Sequence, residues 1–363
     1  VSIRVDQYVH TFRARDAVSD EARLFRDRLR ARGFGSTIYA ASVEPAVAAD
    51  VETYDPRRPI AADAVIYHHA TVATIGARLA RWRGRSALLY HGVTPPAMLR
   101  AYDPLLAALL ARSRAELGRI AMRFPRRFAD SAFGAEELRA LGGGAASVLP
   151  FALDERRFVA ASATSGAIEG PRVRTQAGVR WLSVGRIAPN KGLLALVAAF
   201  GRALAYDPRA TLTLAGSYAP SDPYYWAVRR AIDSAGAYGH VRLTGSIDDA
   251  ALVACYAAAD VYVCLSEHEG FCVPLVEAMR FDVPIVALAR GAVPETLGAA
   301  GVVIQANDPD TVAALATELG TPGSRRTAVL AAQRERRAAF DPAAALAAFD
   351  AATDALLTGP MRD

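Results

Sequence analysis

The chain has 363 residues, 52% of them hydrophobic and 22% charged, which excludes a disordered polymer and is long enough for two separate cores. No apolar run approaches the ~18 residues of a membrane span, and the N-terminal stretch VSIRVDQYVH has the character of neither a signal nor a transit peptide. The net charge of +5 is unevenly placed: residues 1–150 hold 22 arginines against 15 acidic residues, while the remainder is slightly acidic.

Segments such as ARWRGR (80–85) and RFPRRF (123–128) concentrate that charge and interleave it with aromatics. They suit a solvated basic surface or a peripheral contact with anionic lipid headgroups. No reading-head motif accompanies them, so nucleic acid is not expected as a partner. Cys255, Cys264 and Cys272 have no metal-ligand spacing and read as reduced thiols of a cytoplasmic protein.

In chain order, short apolar runs alternate with longer amphipathic segments, the pattern of an α/β fold with parallel strands. Strands are expected at 36–41, 64–69, 86–91 and 146–151. A helix is expected over 19–33, with Ser19 as its N-cap, Asp20 and Glu21 in its first turn and Gly33 at its stop. Residues 159–179 are small, polar and without periodicity, and are read as a linker. The alternation restarts with strands at 180–185, 211–216, 241–245, 261–266, 284–289 and 301–305, and the alanine-rich 342–357 reads as a final helix. The expected organisation is a first domain over 1–158, a linker over 159–179, a second domain over 180–340 and a terminal helix within 341–363. Both domains are doubly wound, so a ligand is expected at the carboxyl ends of their strands.

Two segments carry chemistry. SEHEGFCVPLVEAM (266–279) leaves an apolar strand and enters a helix through Pro274, whose missing N–H is harmless in a first turn. It holds Glu269 in the loop and Glu277 in the helix, too far apart to share a proton and suited to gripping two parts of an extended ligand. The backbone of Gly270, Phe271, Cys272 and Val273 lies near a helix N-terminus, a natural anion site. VGRIAPNKG (184–192) places Arg186 and Lys191 just past another strand. A planar guanidinium and a compact ammonium together would hold a diphosphate, and Lys191 is the single lysine of the chain.

These blocks, with VRLTGSI (241–247) and PIVALARGAVPET (284–296), resemble the signature of retaining glycosyltransferases of the GT-B fold, family 4 or "group 1". YHGVTP (90–95) and VLPFALDERRF (148–158) extend the resemblance into the first domain. It implies two Rossmann-like domains facing a central cleft, with the last helix crossing back to the first. It also implies that Arg186 and Lys191 bind the donor diphosphate and that Glu269 contacts the transferred sugar. The backbone from Gly270 to Leu275, with Gly216 nearby, would hold sugar and phosphate. Glu277 would bind the ribose, Ile247 would lie beside the nucleobase, and His91 would approach the donor sugar. Asp16 and Ser19 replace the family's glycine-rich first loop and are expected on the acceptor side.

The implied activity is metal-independent transfer of a hexose, mannose from GDP-mannose foremost and UDP-hexoses next, to a saccharide or lipid-linked acceptor. It needs no cofactor besides the donor. The Asp308–Asp310 pair reads as a helix cap and not a metal site. A sugar-nucleotide hydrolase or epimerase and a non-catalytic sugar-nucleotide-binding regulator are the competing readings. A nicotinamide dehydrogenase is disfavoured because no G-x-G-x-x-G follows a strand.

Overall fold

The computed structural model describes residues 3–71, 74–158 and 178–359. Two compact units are present: Val1–Arg100 with Pro104–Asp154 and Phe340–Asp363, and Ala101–Asp103 with Glu155–Ala339. The segment expected as a linker lies outside the described residues except for Gly178 and Val179.

The first unit is built on β1 (Val5–Phe12), α1 (Ala17–Ala31), β2 (Ile38–Val43), β3 (Glu52–Thr53), β4 (Ala64–His69), α2 (Thr74–Leu79), β5 (Arg85–Tyr90), α3 (Pro104–Ala121), β6 (Arg126–Ala129), α4 (Ala132–Ala140) and β7 (Ser147–Val148). Its seven strands are parallel in the order β3-β2-β1-β4-β5-β6-β7. All six residues of β4 are buried, because a central parallel strand is covered on both faces.

The second unit contains β8 (Arg180–Val184), α5 (Leu193–Tyr206), β9 (Thr211–Ala215), α6 (Pro223–Ser234), β10 (Val241–Leu243), α7 (Asp249–Ala258), β11 (Val261–Cys264), α8 (Val273–Arg280), β12 (Ile285–Leu288), α9 (Val293–Leu297), β13 (Val302–Ile304), α10 (Pro309–Gly320) and α11 (Ser324–Arg337). Its parallel sheet runs β10-β9-β8-β11-β12-β13. Strand order reverses between β1 and β4 in one sheet and between β8 and β11 in the other, the switch points at which doubly wound sheets open a crevice. The α/β class and paired parallel sheets expected from the sequence are therefore found.

The last helix, α12 (Pro342–Thr358), belongs to the first unit. Phe349 stacks on Phe25 of α1 with ring centroids 3.8 Å apart, and Asp350 is paired with Arg28 and Arg32. An apolar pocket beneath it is lined by Ile66, Leu89 and Phe349 among others.

Two local expectations need correction. Helix α1 starts earlier than expected: Asp16, not Ser19, is its N-cap, its carboxylate accepting from the Ser19 N–H at 3.0 Å. Ser19 is buried inside the first turn, where its hydroxyl bonds the same carboxylate at 2.8 Å. RFPRRF is also partly strand, since β6 runs through it. Its arginines hid that: a short strand close to the sheet edge keeps long cationic side chains in water while burying only Ala129.

Candidate functional site

The residues singled out in the second unit gather at the carboxyl ends of β8 and β11, on either side of the switch point. After β8, Gly185 and Arg186 lead into a single 3₁₀ turn, Pro189–Lys191, ended by Gly192. Gly192 has φ 64°, and a Cβ there would stand 1.9 Å from the Leu265 carbonyl oxygen, so only glycine lets this turn lie against the end of β11. Asn190 fastens the two segments: its carbonyl accepts from the Glu267 N–H at 2.8 Å, and its side-chain amide donates to the His268 carbonyl at 3.3 Å.

That fastening brings Lys191 to Glu269. The ammonium donates to Oε1 at 2.6 Å, with both side chains largely shielded from solvent. Burial alone would push the Lys191 ammonium down, but the Glu269 carboxylate holds it above its ordinary value. Glu269 is held in turn by Ala292, whose N–H donates to its carbonyl at 2.9 Å, and by the close approach of Gly291. Arg186 is exposed at the rim. Gly216, at the end of β9, packs so closely that a Cβ would lie 2.0 Å from the Gly185 carbonyl oxygen, and it bridges to Gly245, two residues before the half-buried Ile247.

The Gly270–Leu275 segment follows. Cys272 takes a left-handed conformation, φ 73°, as the residue preceding α8, and Pro274 occupies the first turn as expected. Phe271 offers its carbonyl to the Thr296 hydroxyl; Val273 begins α8 and Leu275 is fully buried. Glu277 is a different case. It is buried and already engaged, accepting from the Tyr256 hydroxyl at 2.7 Å and from Arg157. Glu277, expected from the sequence to hydrogen-bond a ribose, is held here in an ion pair with Arg157, and a ligand hydroxyl would share it with, or displace, that arginine. Burial and the neighbouring Glu277 charge keep the Tyr256 phenol protonated, well above its usual range.

Among the described residues, cation binding has two geometric candidates. Cys264, Glu269 and Cys272 offer ligand atoms within 4.8 Å of one another, but the Lys191 ammonium already occupies Glu269, and its charge opposes a metal ion. Glu21, His68 and His91 also converge, yet both nitrogens of each ring are taken by hydrogen bonds. Asp308 caps α10, accepting from the Thr311 N–H at 2.8 Å, as its D-x-D reading required.

In the first unit, His91 follows β5 and is 9% exposed. Its Nδ1 lies 2.8 Å from Asp130 and its Nε2 3.0 Å from His68, so neither nitrogen is left for a ligand in this conformation. Asp16 and Ser19 serve the start of α1, and Ser19 Oγ also accepts from the Arg13 N–H at 3.0 Å.

Several participants escaped the sequence reading. Asn190 had a signal, since N-K-G marks a turn, but Arg157 and Tyr256 reach Glu277 across 120 and 21 residues and gave none.

A family model described as glycosyl transferases group 1 matches residues 178–335. The O-antigen chain mannosyltransferase B of Escherichia coli is 33% identical over 135 residues, 37% of this chain and 34% of that protein. A GDP-mannose-dependent alpha-(1-6)-phosphatidylinositol monomannoside mannosyltransferase of Mycobacterium tuberculosis is 31% identical over 206 residues, 53% of this chain and 52% of that one. The aligned region thus spans about a third to a half of these curated relatives. Among solved structures, sucrose-phosphate synthase from Thermosynechococcus elongatus superposes with TM-score 0.76 at 17% identity, over 97% of this chain and 99% of that one. Anabaena HepE, solved with UDP and glucose, gives 0.74 at 16% identity, over 97% and 100%. The fold is therefore the GT-B fold of these solved structures, and within the second unit residues 178–335 are similar to the group 1 glycosyl transferases.

Proposed function

We propose that the protein is a retaining, metal-independent hexosyltransferase that moves mannose from GDP-mannose to a saccharide or lipid-linked acceptor of bacterial surface glycan assembly. The observation that carries this reading is the Lys191–Glu269 pair, 2.6 Å long, at the switch point of the second sheet. An ammonium and a carboxylate held in contact, flanked by turns that glycine keeps open, suit a ligand with an anionic end and a hydroxylated end. On donor binding Lys191 exchanges its carboxylate for the diphosphate, and Glu269 is released to accept hydrogen bonds from the sugar.

The relatives named above are mannosyltransferases, one of them GDP-mannose-dependent, which supports the choice of donor. Retention rests on the resemblance of the 184–192 and 266–279 segments to the retaining family. Before the donor binds, Glu269 is tied to Lys191 and Glu277 to Arg157 and Tyr256, and neither stands as a free covalent nucleophile, which disfavours a double displacement. The transfer then runs on one face of the sugar through an oxocarbenium-like state, with the leaving phosphate oxygen accepting the acceptor's proton. Stabilisation of that leaving group falls to Arg186 and Lys191.

Binding of GDP-mannose, UDP-glucose, UDP-N-acetylglucosamine, GDP and UDP, measured by calorimetry with and without EDTA, tests the reading. A preference for guanine nucleotides that survives EDTA and collapses in Lys191→Ala is expected. A UDP preference would favour the UDP-hexose alternative, for which the UDP and glucose in Anabaena HepE give the precedent. Donor binding without transfer to any acceptor would leave the regulatory-protein reading.

The basic first unit supports a peripheral contact with anionic lipid. On α3, Leu105 and Leu109 are 81% and 50% exposed and share one helical face with the exposed Arg112 and Arg119, and just beyond the helix Met122, 58% exposed, stands beside the exposed Arg123. Apolar side chains flanked by arginines fit a headgroup layer, and no helix among the described residues is long and apolar enough to cross a membrane.

A further inference from the structure

Five polar side chains meet under α1 on one face of the first sheet. Gln7 comes from β1, His68 from β4, His91 and Asp130 from the ends of β5 and β6, and Glu21 from α1. None is more than 9% exposed. Four form a chain: Gln7 Oε1 to His68 Nε2 at 2.9 Å, His68 Nδ1 to His91 Nε2 at 3.0 Å, and His91 Nδ1 to Asp130 Oδ2 at 2.8 Å.

The placement of protons is decided at the Gln7 end. Its amide nitrogen donates to the Ala22 carbonyl at 3.0 Å, so its oxygen faces His68 and can only accept. His68 therefore carries hydrogen on Nε2. Burial, reinforced by His91, holds that ring neutral, which leaves Nδ1 bare. The hydrogen between the two rings must then come from His91 Nε2. A further proton is needed between His91 Nδ1 and Asp130, because a bare nitrogen facing a carboxylate at 2.8 Å would set two lone pairs against each other in a dry site.

We propose that His91 is held as a buried imidazolium, paired with the Asp130 carboxylate, and that Gln7, His68 and Asp130 are positioning residues that fix this state. The groups facing His91 fit it. Glu21 Oε2 lies 3.9 Å from Nδ1 and has no hydrogen-bond partner, and burial and the Asp130 charge push its carboxyl well up; burial also raises the Asp130 carboxyl, but His91 draws it back down, which makes Asp130 the counter-charge of the pair. Phe151 closes the site edge-on without charge, and His69, on the other face of β4, is held neutral by burial, with its pKa at about 3. With both nitrogens protonated, His91 has no lone pair with which to take a proton. Its contribution, on the transferase reading above, is positive potential at the carboxyl edge of the sheet.

Nitrogen-15 NMR of the full chain labelled at histidine, recorded from pH 6 to 9 without ligand, tests this. The expected result is His91 protonated on both nitrogens throughout, beside a fixed Nε2–H tautomer of His68. Asp130→Asn should turn His91 neutral and lower turnover about a hundred-fold with little change in donor KM. A wild-type His91 that titrates near the ordinary value of about 6.5, or a His68 with hydrogen on Nδ1, overturns the proposal, as does metal co-purifying at these rings. Because the spectra need no donor, they stand even if no sugar nucleotide is turned over. Failure of the donor reading is therefore separable from failure of this one.

Discussion

Lys191 shows how much one residue can depend on its surroundings. Its ammonium is useful only because the turn that carries it lies on β11, and that contact exists only because Gly192 has no side chain. Gly192→Ala forces a left-handed backbone and a clash with the Leu265 carbonyl, and should cost about 2–3 kcal/mol in denaturant unfolding while separating Lys191 from Glu269. Glu269→Ala should leave nucleotide-diphosphate binding nearly intact and lower turnover at least a hundred-fold, since what it loses is contact with the sugar. Equal loss of binding and turnover would show instead that the carboxylate serves only to place Lys191. Glu21 gives a prediction in pH. Its folded pKa is raised, so the folded state binds the extra proton, and stability falls as pH rises above the unfolded value of about 4.3. Glu21→Gln should flatten that decline, read as the melting temperature between pH 5 and 8.

At the scale of elements, the two sheets repeat one device. Strand order reverses between β1 and β4 and between β8 and β11, and the chemistry-bearing side chains collect beside each reversal. The strands themselves were legible. Runs such as AVIYHH and VYVCLS are mostly apolar and buried throughout, because central parallel strands are covered on both sides. Legibility failed in the central β1, where VDQYVHTF mixes polar side chains into a mostly buried strand, and in the short β6, whose arginines look like surface. The start of α1 was displaced to Asp16 because serine and aspartate compete as caps, and the carboxylate accepted from Ser19 instead. Helix α12 offers the sharpest test at this scale. Its Phe349 is stacked on Phe25 in the core of the first unit, so Phe349→Ala should cost about 3–5 kcal/mol. The loss should appear in the unfolding of the first unit and leave nucleotide binding by the second unit measurable.

For the molecule as a whole, charge and composition speak before any fold does. Part of the arginine excess in the first 150 residues lies, in the structure, on a helical face of α3 beside two exposed leucines. Leu105→Asp with Leu109→Asp should abolish co-sedimentation with anionic vesicles, and Arg119→Ala with Arg123→Ala should weaken it in a salt-dependent way. Binding that is equal on neutral and anionic vesicles would remove the electrostatic part of this reading.

The sequence by itself determined the class of the fold, the order of most strands and helices, and the two segments whose charged side chains meet at the switch point of the second sheet. These follow from periodicity and from short-range grammar: a strand, a glycine turn, a helix start. Only the tertiary structure decided which partner each charge has. Lys191 is 78 residues from Glu269, Arg157 is 120 from Glu277, and Gln7 governs His91 through a ring 61 residues away. Such pairings are set by which strands lie side by side, and nothing in the local pattern of a chain records its neighbour across a sheet.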